Sequence, residues 1–228
     1  IIYSMCFAPY ISLSTFVIEF LLAIFFLTRD YKDKLNRTIA LISFLLGLYQ
    51  LNEFLICTTQ IPVFTVLAMS VTAILPALAV SYALIIWRKK IKFYWHILIY
   101  LPVVFFITMF GAMNYYHTSA QCMSVFIKYP FSGLIGQFYG TYYWIYLVGA
   151  VILFNLSSTH SKDIHEKRMS QLGMLGMFIF TVPTFIFLIY LPSLKIQFAS
   201  VLCEFALLLA IELIFVIWYK EKFKIKYH

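Results

Sequence analysis

The sequence predicts an all-α membrane bundle of seven helices, and three observations carry that prediction. Of 228 residues, 63% are hydrophobic and only 11% are charged, where a soluble domain carries about 25% charged residues. Mean hydropathy is +0.91, which makes lipid the main solvent of the chain. A hydrocarbon core of ~30 Å calls for roughly 20 apolar residues per helix. Seven segments supply them: 8–28, 38–58, 63–87, 95–113, 134–155, 171–191 and 198–219. Alternating strands of ten residues are absent, which argues against an outer-membrane barrel. The whole chain, 1–228, reads as one polytopic domain without a linker or a soluble module.

Orientation follows from the cations. Arg29, Lys32, Lys34 and Arg37 fall in the first connection, and Arg88, Lys89, Lys90 and Lys92 in the third. Lys162, Lys167 and Arg168 fall in the fifth, and Lys220, Lys222, Lys224 and Lys226 in the tail. Fifteen of the 17 basic residues thus share one side, and only Lys128 and Lys195 lie on the other. The positive-inside rule then places the amino terminus outside and the carboxy terminus in the cytoplasm. The net charge of +8 is a topology signal and does not point to nucleic acid. The stretches "RKKIK" and "KEKFKIK" also suit anionic membrane lipid.

The first segment has no basic region before it and no small-residue cleavage site after it, so it is expected to be a retained helix and not a signal peptide. The chain opens at Ile1 without a Met, which places the expected start upstream or at Met5. Within this segment Ser12, Thr15 and Glu19 repeat at i, i+3 and i+7 and share a face. The second segment ends "GLYQLNEFLICTTQ", where Gln50, Glu53 and Cys57 have the same spacing and Asn52 points elsewhere. Pro76, Pro102 and Pro183 lie inside the third, fourth and sixth segments and are expected to kink them. The one sizeable outer loop spans 114–133, and the longest inner loop is expected at "NLSSTHSKDIHEKRMSQ". The fifth segment opens "QFYGTYYWIY", with Tyr139, Tyr142, Tyr143 and Tyr146 on one stripe. An interfacial aromatic belt and the wall of a pocket both account for them. The seventh segment carries Glu204 and Glu212, about 80° apart around the helix, with Ser200 one turn above Glu204.

No Lys or Arg lies within any segment away from its ends, so these acids have no cation beside them in the hydrocarbon. They are expected to carry their protons or to face a water-filled cavity. An ionisable group at such depth is by default a functional-site hypothesis. The alternative is that Ser, Thr, Asn and Gln partners make it glue between helices. Glu53 and Glu204 lie near the outer ends of their helices and could line a pocket open to the outside. Glu19 and Glu212 lie deeper and suit the glue reading better. Polar faces turn inward in either case, because lipid offers no hydrogen bonds.

All four cysteines, Cys6, Cys57, Cys122 and Cys203, fall on the outer side. An oxidising compartment permits disulfides there, and Cys57–Cys122 is the preferred pair among three full pairings. Buried free thiols are the alternative. A retinal protein needs a lysine in its last helix, and a membrane haem needs histidines within helices. Neither requirement is met, since Lys195, His96, His117, His160, His165 and His228 all lie at boundaries or in loops. His160, Asp163, His165 and Glu166 suit a solvated loop better than a metal. No nucleophile elbow, phosphate-binding loop or zinc-protease motif occurs, and neither enzyme activity nor a cofactor is expected.

Three stretches resemble the seven-transmembrane sensor regions found at the N-terminus of bacterial membrane histidine kinases. "LNRTIALISFLLGLYQLNEFL" is similar to their second helix, and "FYGTYYWIYLVGAVILF" to their fifth. "ASVLCEFALLLAIELIFVIWYKEKF" is similar to their last helix, whose acidic residue would match Glu204. The resemblance implies a bundle that receives a small or lipophilic signal and relays it through the last helix to a cytoplasmic effector. Only "KEKFKIKYH" follows that helix here, so the chain is expected to be a fragment or to act through a protein partner. Combined with the polar faces, this gives a receptor or sensor in a bacterial inner membrane. Its ligand would be bound from outside by Glu53, Gln50 and Glu204, with Tyr139, Tyr142, Tyr143 and Tyr146 as a wall. The alternatives are an accessory subunit of a larger membrane complex and a proton-linked transporter using Glu19, Glu53, Glu204 and Glu212.

Overall fold

The computed structural model describes residues 8–88, 92–112, 121–122, 127–128, 134–190 and 198–227. Among them the chain forms α1 (Ala8–Arg29), α2 (Lys34–Thr59), α3 (Pro62–Ile86), α4 (Phe93–Ala112), α5 (Leu134–His160), α6 (Ile164–Tyr190) and α7 (Phe198–Lys222). Between α4 and α5 the two-residue strands β1 (Gln121–Cys122) and β2 (Ile127–Lys128) pair antiparallel, Cys122 opposite Ile127. Five helices, α1 to α5, are long and apolar enough to cross a bilayer, consistent with a multi-pass membrane protein. Over their described residues α6 and α7 do not join them. The first opens on Glu166, Lys167 and Arg168, and the second carries Glu212 and closes on Lys220, Glu221 and Lys222.

Two helices begin earlier than their apolar runs. Asp33 caps α2: its Oδ1 accepts from Leu35 N at 2.8 Å and from Asn36 N at 3.3 Å. Asp163 does the same for α6, accepting from His165 N at 2.9 Å. A side-chain acceptor at this position satisfies amides that an α-helix leaves open. The expected long inner loop therefore shrinks to residues 161–163, because α5 runs on to His160 and α6 starts at Ile164.

The alternation of helices gives the bundle two ends. One, here the basic end, holds the α1–α2, α3–α4 and α5–α6 connections and the tail after α7. The other, the cysteine end, holds the α2–α3 connection and the β1–β2 pair. α1 packs on α2, and α3 forms the centre, touching α2, α4, α5 and α6, while α7 packs on α6, α1 and α2. Ala68, Ala73, Ala77 and Ala83 of α3 are wholly buried, and such small side chains let neighbouring backbones approach closely. α1 buries Ser12, Thr15, Glu19, Ala23 and Phe26, a single helical stripe. α4 buries only Val103, Phe106 and Phe110 and is peripheral.

Candidate functional site

The polar residues of the cysteine end converge on α2, α3 and α5. Gln50, Asn52 and Glu53 of α2 are all buried, Glu53 to 4% exposure. Glu53 lies six residues, about 9 Å, from the end of its helix at Thr59. Its Oε1 accepts a bond from the Tyr49 hydroxyl one turn earlier, at 2.8 Å. Asn52 Nδ2 donates to the Leu48 carbonyl at 2.7 Å, which turns its side chain back along α2. One turn beyond Glu53, Cys57 is bonded to Cys122, with Cα atoms 5.8 Å apart. That bridge fastens β1 over the end of α2.

The tyrosine stripe of α5 faces inward, with Tyr139, Tyr142 and Tyr143 buried and Tyr146 half-buried. Three of its hydroxyls serve neighbouring helices. Tyr139 donates to Thr72 Oγ1 of α3 at 2.9 Å, and Tyr142 donates to the Ala73 carbonyl at 2.7 Å. Tyr146 donates to the Ile99 carbonyl of α4 at 3.0 Å. Phe106 and Phe110 of α4 fill the space between these rings, 5.2 Å and 5.4 Å from the Tyr139 centroid. Tyr139, Tyr142 and Tyr146 therefore join α5 to α3 and α4. Tyr143, 6.0 Å from the Tyr139 ring, completes the stripe. Glu204 and Cys203 belong to the backbone of α7, but their side chains lie outside the described residues, as do Cys6, His117 and Lys195.

Deeper in the bundle two more acids are buried. Glu19 of α1 packs its Cβ against Gly47 of α2, where an added methyl would come within 3.3 Å. Glu212 of α7 sits against Gly176 of α6, where an added Cβ would meet its Oε2 at 2.6 Å. Gly173, one turn away, makes room for the Phe154 ring of α5 in the same manner. Both carboxyls lack a hydrogen-bond partner.

No known protein family, curated protein or solved structure matches this chain.

At the basic end lies a cluster that sequence patterning reveals only in part. Lys220 is 4% exposed, and its Nζ stands 2.8 Å from Asp33 Oδ2. It also donates to Asn36 Oδ1 at 2.6 Å, while Asn36 Nδ2 donates to the Phe26 carbonyl of α1 at 3.3 Å. Asp33 Oδ2 accepts in addition from Tyr227 N at 3.0 Å, and the Tyr227 carbonyl accepts from Lys34 N at 3.0 Å. Every oxygen of Asp33 is thus occupied, as a buried carboxylate requires. The tail reaches this position through a tight turn after α7. Ile225 N donates to the Lys220 carbonyl and Lys224 N to the Glu221 carbonyl, with Lys224 left-handed at φ 52°. This is a Schellman ending with lysine where glycine is usual. The Arg88 guanidinium lies 5.1 Å over the Tyr227 ring. Burial pushes the Tyr227 phenol up, so it is neutral at physiological pH.

One signal for this cluster was present. Leu209, Leu213, Val216, Ile217 and Lys220 form one buried seam, so the lysine falls on the inner face of α7. The order of spacing places it there, but only the fold supplies Asp33. Among the described residues no group of His, Cys, Asp and Glu is arranged to hold a metal.

Proposed function

We propose that this chain is a seven-helix receptor or sensor bundle of a bacterial inner membrane, with its cysteine end outside and its basic end in the cytoplasm. It takes a small or lipophilic signal at the cysteine end and passes it along α7. The observation that carries this reading is the burial of Gln50, Asn52 and Glu53 together, within three turns of the end of α2, directly beneath the Cys57–Cys122 bridge. A carboxyl there needs polar company that lipid does not provide. Gln50 and Glu53 are the residues assigned to the signal, with Glu204 joining them from α7 and Tyr139, Tyr142, Tyr143 and Tyr146 as the wall. A ligand that draws α7 toward α2 would shift its far end, a small helix displacement of the kind that switches signalling bundles. The basic-end cluster gives α7 a defined resting position from which to move.

The test is native mass spectrometry of the full chain extracted gently from its own membrane. The reading expects a bound small molecule that is lost on Glu53→Gln and retained on Glu19→Gln. A bundle that travels with other subunits and carries nothing lost on Glu53→Gln would favour an accessory subunit instead.

A further inference from the structure

Two helices of the bundle run on through a proline, α3 past Pro76 and α4 past Pro102. A proline at position i offers no amide to the carbonyl at i−4, and its ring presses that carbonyl aside and bends the helix. The bend also stretches the next bond, the one accepted by the carbonyl at i−3. In lipid, groups freed in this way must find partners on neighbouring helices, because no water reaches them. The affected carbonyls are those of Thr72 and Ala73 in α3, and of Leu98 and Ile99 in α4.

The tyrosines of α5 land on both of these places. Tyr142 Oη donates to the Ala73 carbonyl at 2.7 Å, the i−3 position to Pro76. Tyr146 Oη donates to the Ile99 carbonyl at 3.0 Å and lies 3.4 Å from that of Leu98, the i−3 and i−4 positions to Pro102. Tyr139, one turn earlier, donates at 2.9 Å to Oγ1 of Thr72, the i−4 residue to Pro76. A helix carbonyl away from a proline already accepts the amide four residues on. The proline sites are therefore where an added donor gains most, and the same register recurs in two helices. The rings of Tyr142 and Tyr146 stand 4.6 Å apart, so the two donors move with α5 as one unit.

We propose that α5 is the hinge pin of the bundle: Tyr142 clasps the bend of α3 at Pro76 and Tyr146 that of α4 at Pro102, so that a shift of α5 alters both bends together. The two bends share one layer. Pro76 lies ten residues, about 15 Å, from the basic end of α3 at Ile86, and Pro102 nine residues from that of α4 at Phe93. α4 depends on its clasp most, because it buries only Val103, Phe106 and Phe110 and has little other packing to set its direction. Tyr142 and Tyr146 are positioning residues in this role. The clasps stand whether or not the Glu53 seam takes a signal.

The test pairs each tyrosine with each proline and reads reversible unfolding of the full chain in mixed micelles. Tyr142→Phe is expected to shift the folding equilibrium about fivefold in the wild-type background, the scale of one hydrogen bond. With Pro76→Ala, whose restored amide rebuilds the helix, the same change should shift it about twofold or less. Tyr146→Phe should behave likewise with Pro102→Ala, while the crossed pairs, Tyr142 with Pro102 and Tyr146 with Pro76, should add. A distance reading holds even if a proline variant assembles poorly. Spin labels go on Gly111→Cys of α4 and Phe138→Cys of α5, in a chain with Cys6→Ser and Cys203→Ser; Phe138 is exposed, and Gly111 has nothing within 4 Å of an added Cβ. Gly111 lies nine residues beyond Pro102, so a change of about 20° in the bend carries it about 5 Å. Tyr146→Phe is expected to move the label distance on that scale, and Tyr142→Phe to leave it. Matched pairs that simply add, crossed pairs that couple as strongly as matched ones, or a distance unchanged in Tyr146→Phe would each overturn the hinge.

Discussion

The two ends of the bundle are fastened by different chemistry. At the cysteine end a covalent bridge joins Cys57 to Cys122 across 65 residues of chain. At the basic end an ion pair, Asp33 with Lys220, joins the α1–α2 connection to the last turn of α7. The polar groups around them differ in the same way. On the α5 stripe Tyr139, Tyr142 and Tyr146 each find an acceptor on α3 or α4. Toward the ion pair, Glu19, Ser43, Tyr82, Glu212 and Tyr227 keep oxygens without partners. A satisfied network specifies one arrangement, whereas a buried polar group without a partner costs stability where it stands.

The contrast breaks most sharply at the ion pair. Lys220→Ala or Asp33→Ala leaves a buried charge alone, and about 3–5 kcal/mol of stability should be lost. Thermal unfolding in detergent, with hydrogen exchange over 223–227, checks it. Asp33→Asn combined with Lys220→Met, which removes both charges, should recover most of the loss. A single change that leaves exchange of the tail unaltered would show that the pair does not fix it.

Close helix contacts should give the next largest effects. Gly173→Ala would bring a methyl within 2.5 Å of the Phe154 ring, and Gly176→Ala within 2.6 Å of Glu212. Overpacking of this degree costs about 1–3 kcal/mol. Gly140→Ala and Gly149→Ala meet nothing within 4 Å and should be neutral or slightly stabilising in the same unfolding assay.

Tyrosine hydroxyls sharpen the comparison directly. Tyr142→Phe removes a bond to α3 and should cost about 1 kcal/mol. Tyr82→Phe removes a hydroxyl with no partner and should cost nothing in stability. Equal losses from the two would erase the distinction between the halves. The smallest effect is expected at Lys224, whose left-handed backbone favours glycine. Lys224→Gly should strengthen protection of the tail by about 0.5–1 kcal/mol, read by hydrogen exchange.

The helices were legible because lipid demands long apolar runs, and most boundaries fall within two residues of those expected. The exceptions share a cause: the first turn of α2, the last turn of α5, the first two turns of α6 and the end of α7 are polar or charged, so hydropathy misses them. Asp33 and Asp163 start α2 and α6 there. Spacing placed Tyr139, Tyr142, Tyr143 and Tyr146 on one stripe and left an aromatic belt and a pocket wall both open; their burial against α3 and α4 comes from the fold, because periodicity fixes a face and not its neighbour. Lys220 read as one more cation of a basic tail. Its burial depends on Asp33, far away in the chain, and no local pattern pairs the two. Glu19 and Glu212 stood out as acids in apolar runs, while the glycines that admit them, Gly47 and Gly176, lie on other helices.

Which end faces outward decides whether the Glu53 seam can meet a signal from outside. The direct measurement is labelling of intact cells with a membrane-impermeant thiol reagent, in a chain carrying Cys6→Ser and Cys203→Ser and keeping the Cys57–Cys122 bridge. A cysteine introduced by Gln60→Cys, exposed beside the Glu53 seam, should be labelled from outside. One introduced by Lys162→Cys, exposed between α5 and α6, should be labelled only after the cells are opened. The reverse pattern would put the polar seam in the cytoplasm and contradict a receptor that takes its signal from outside.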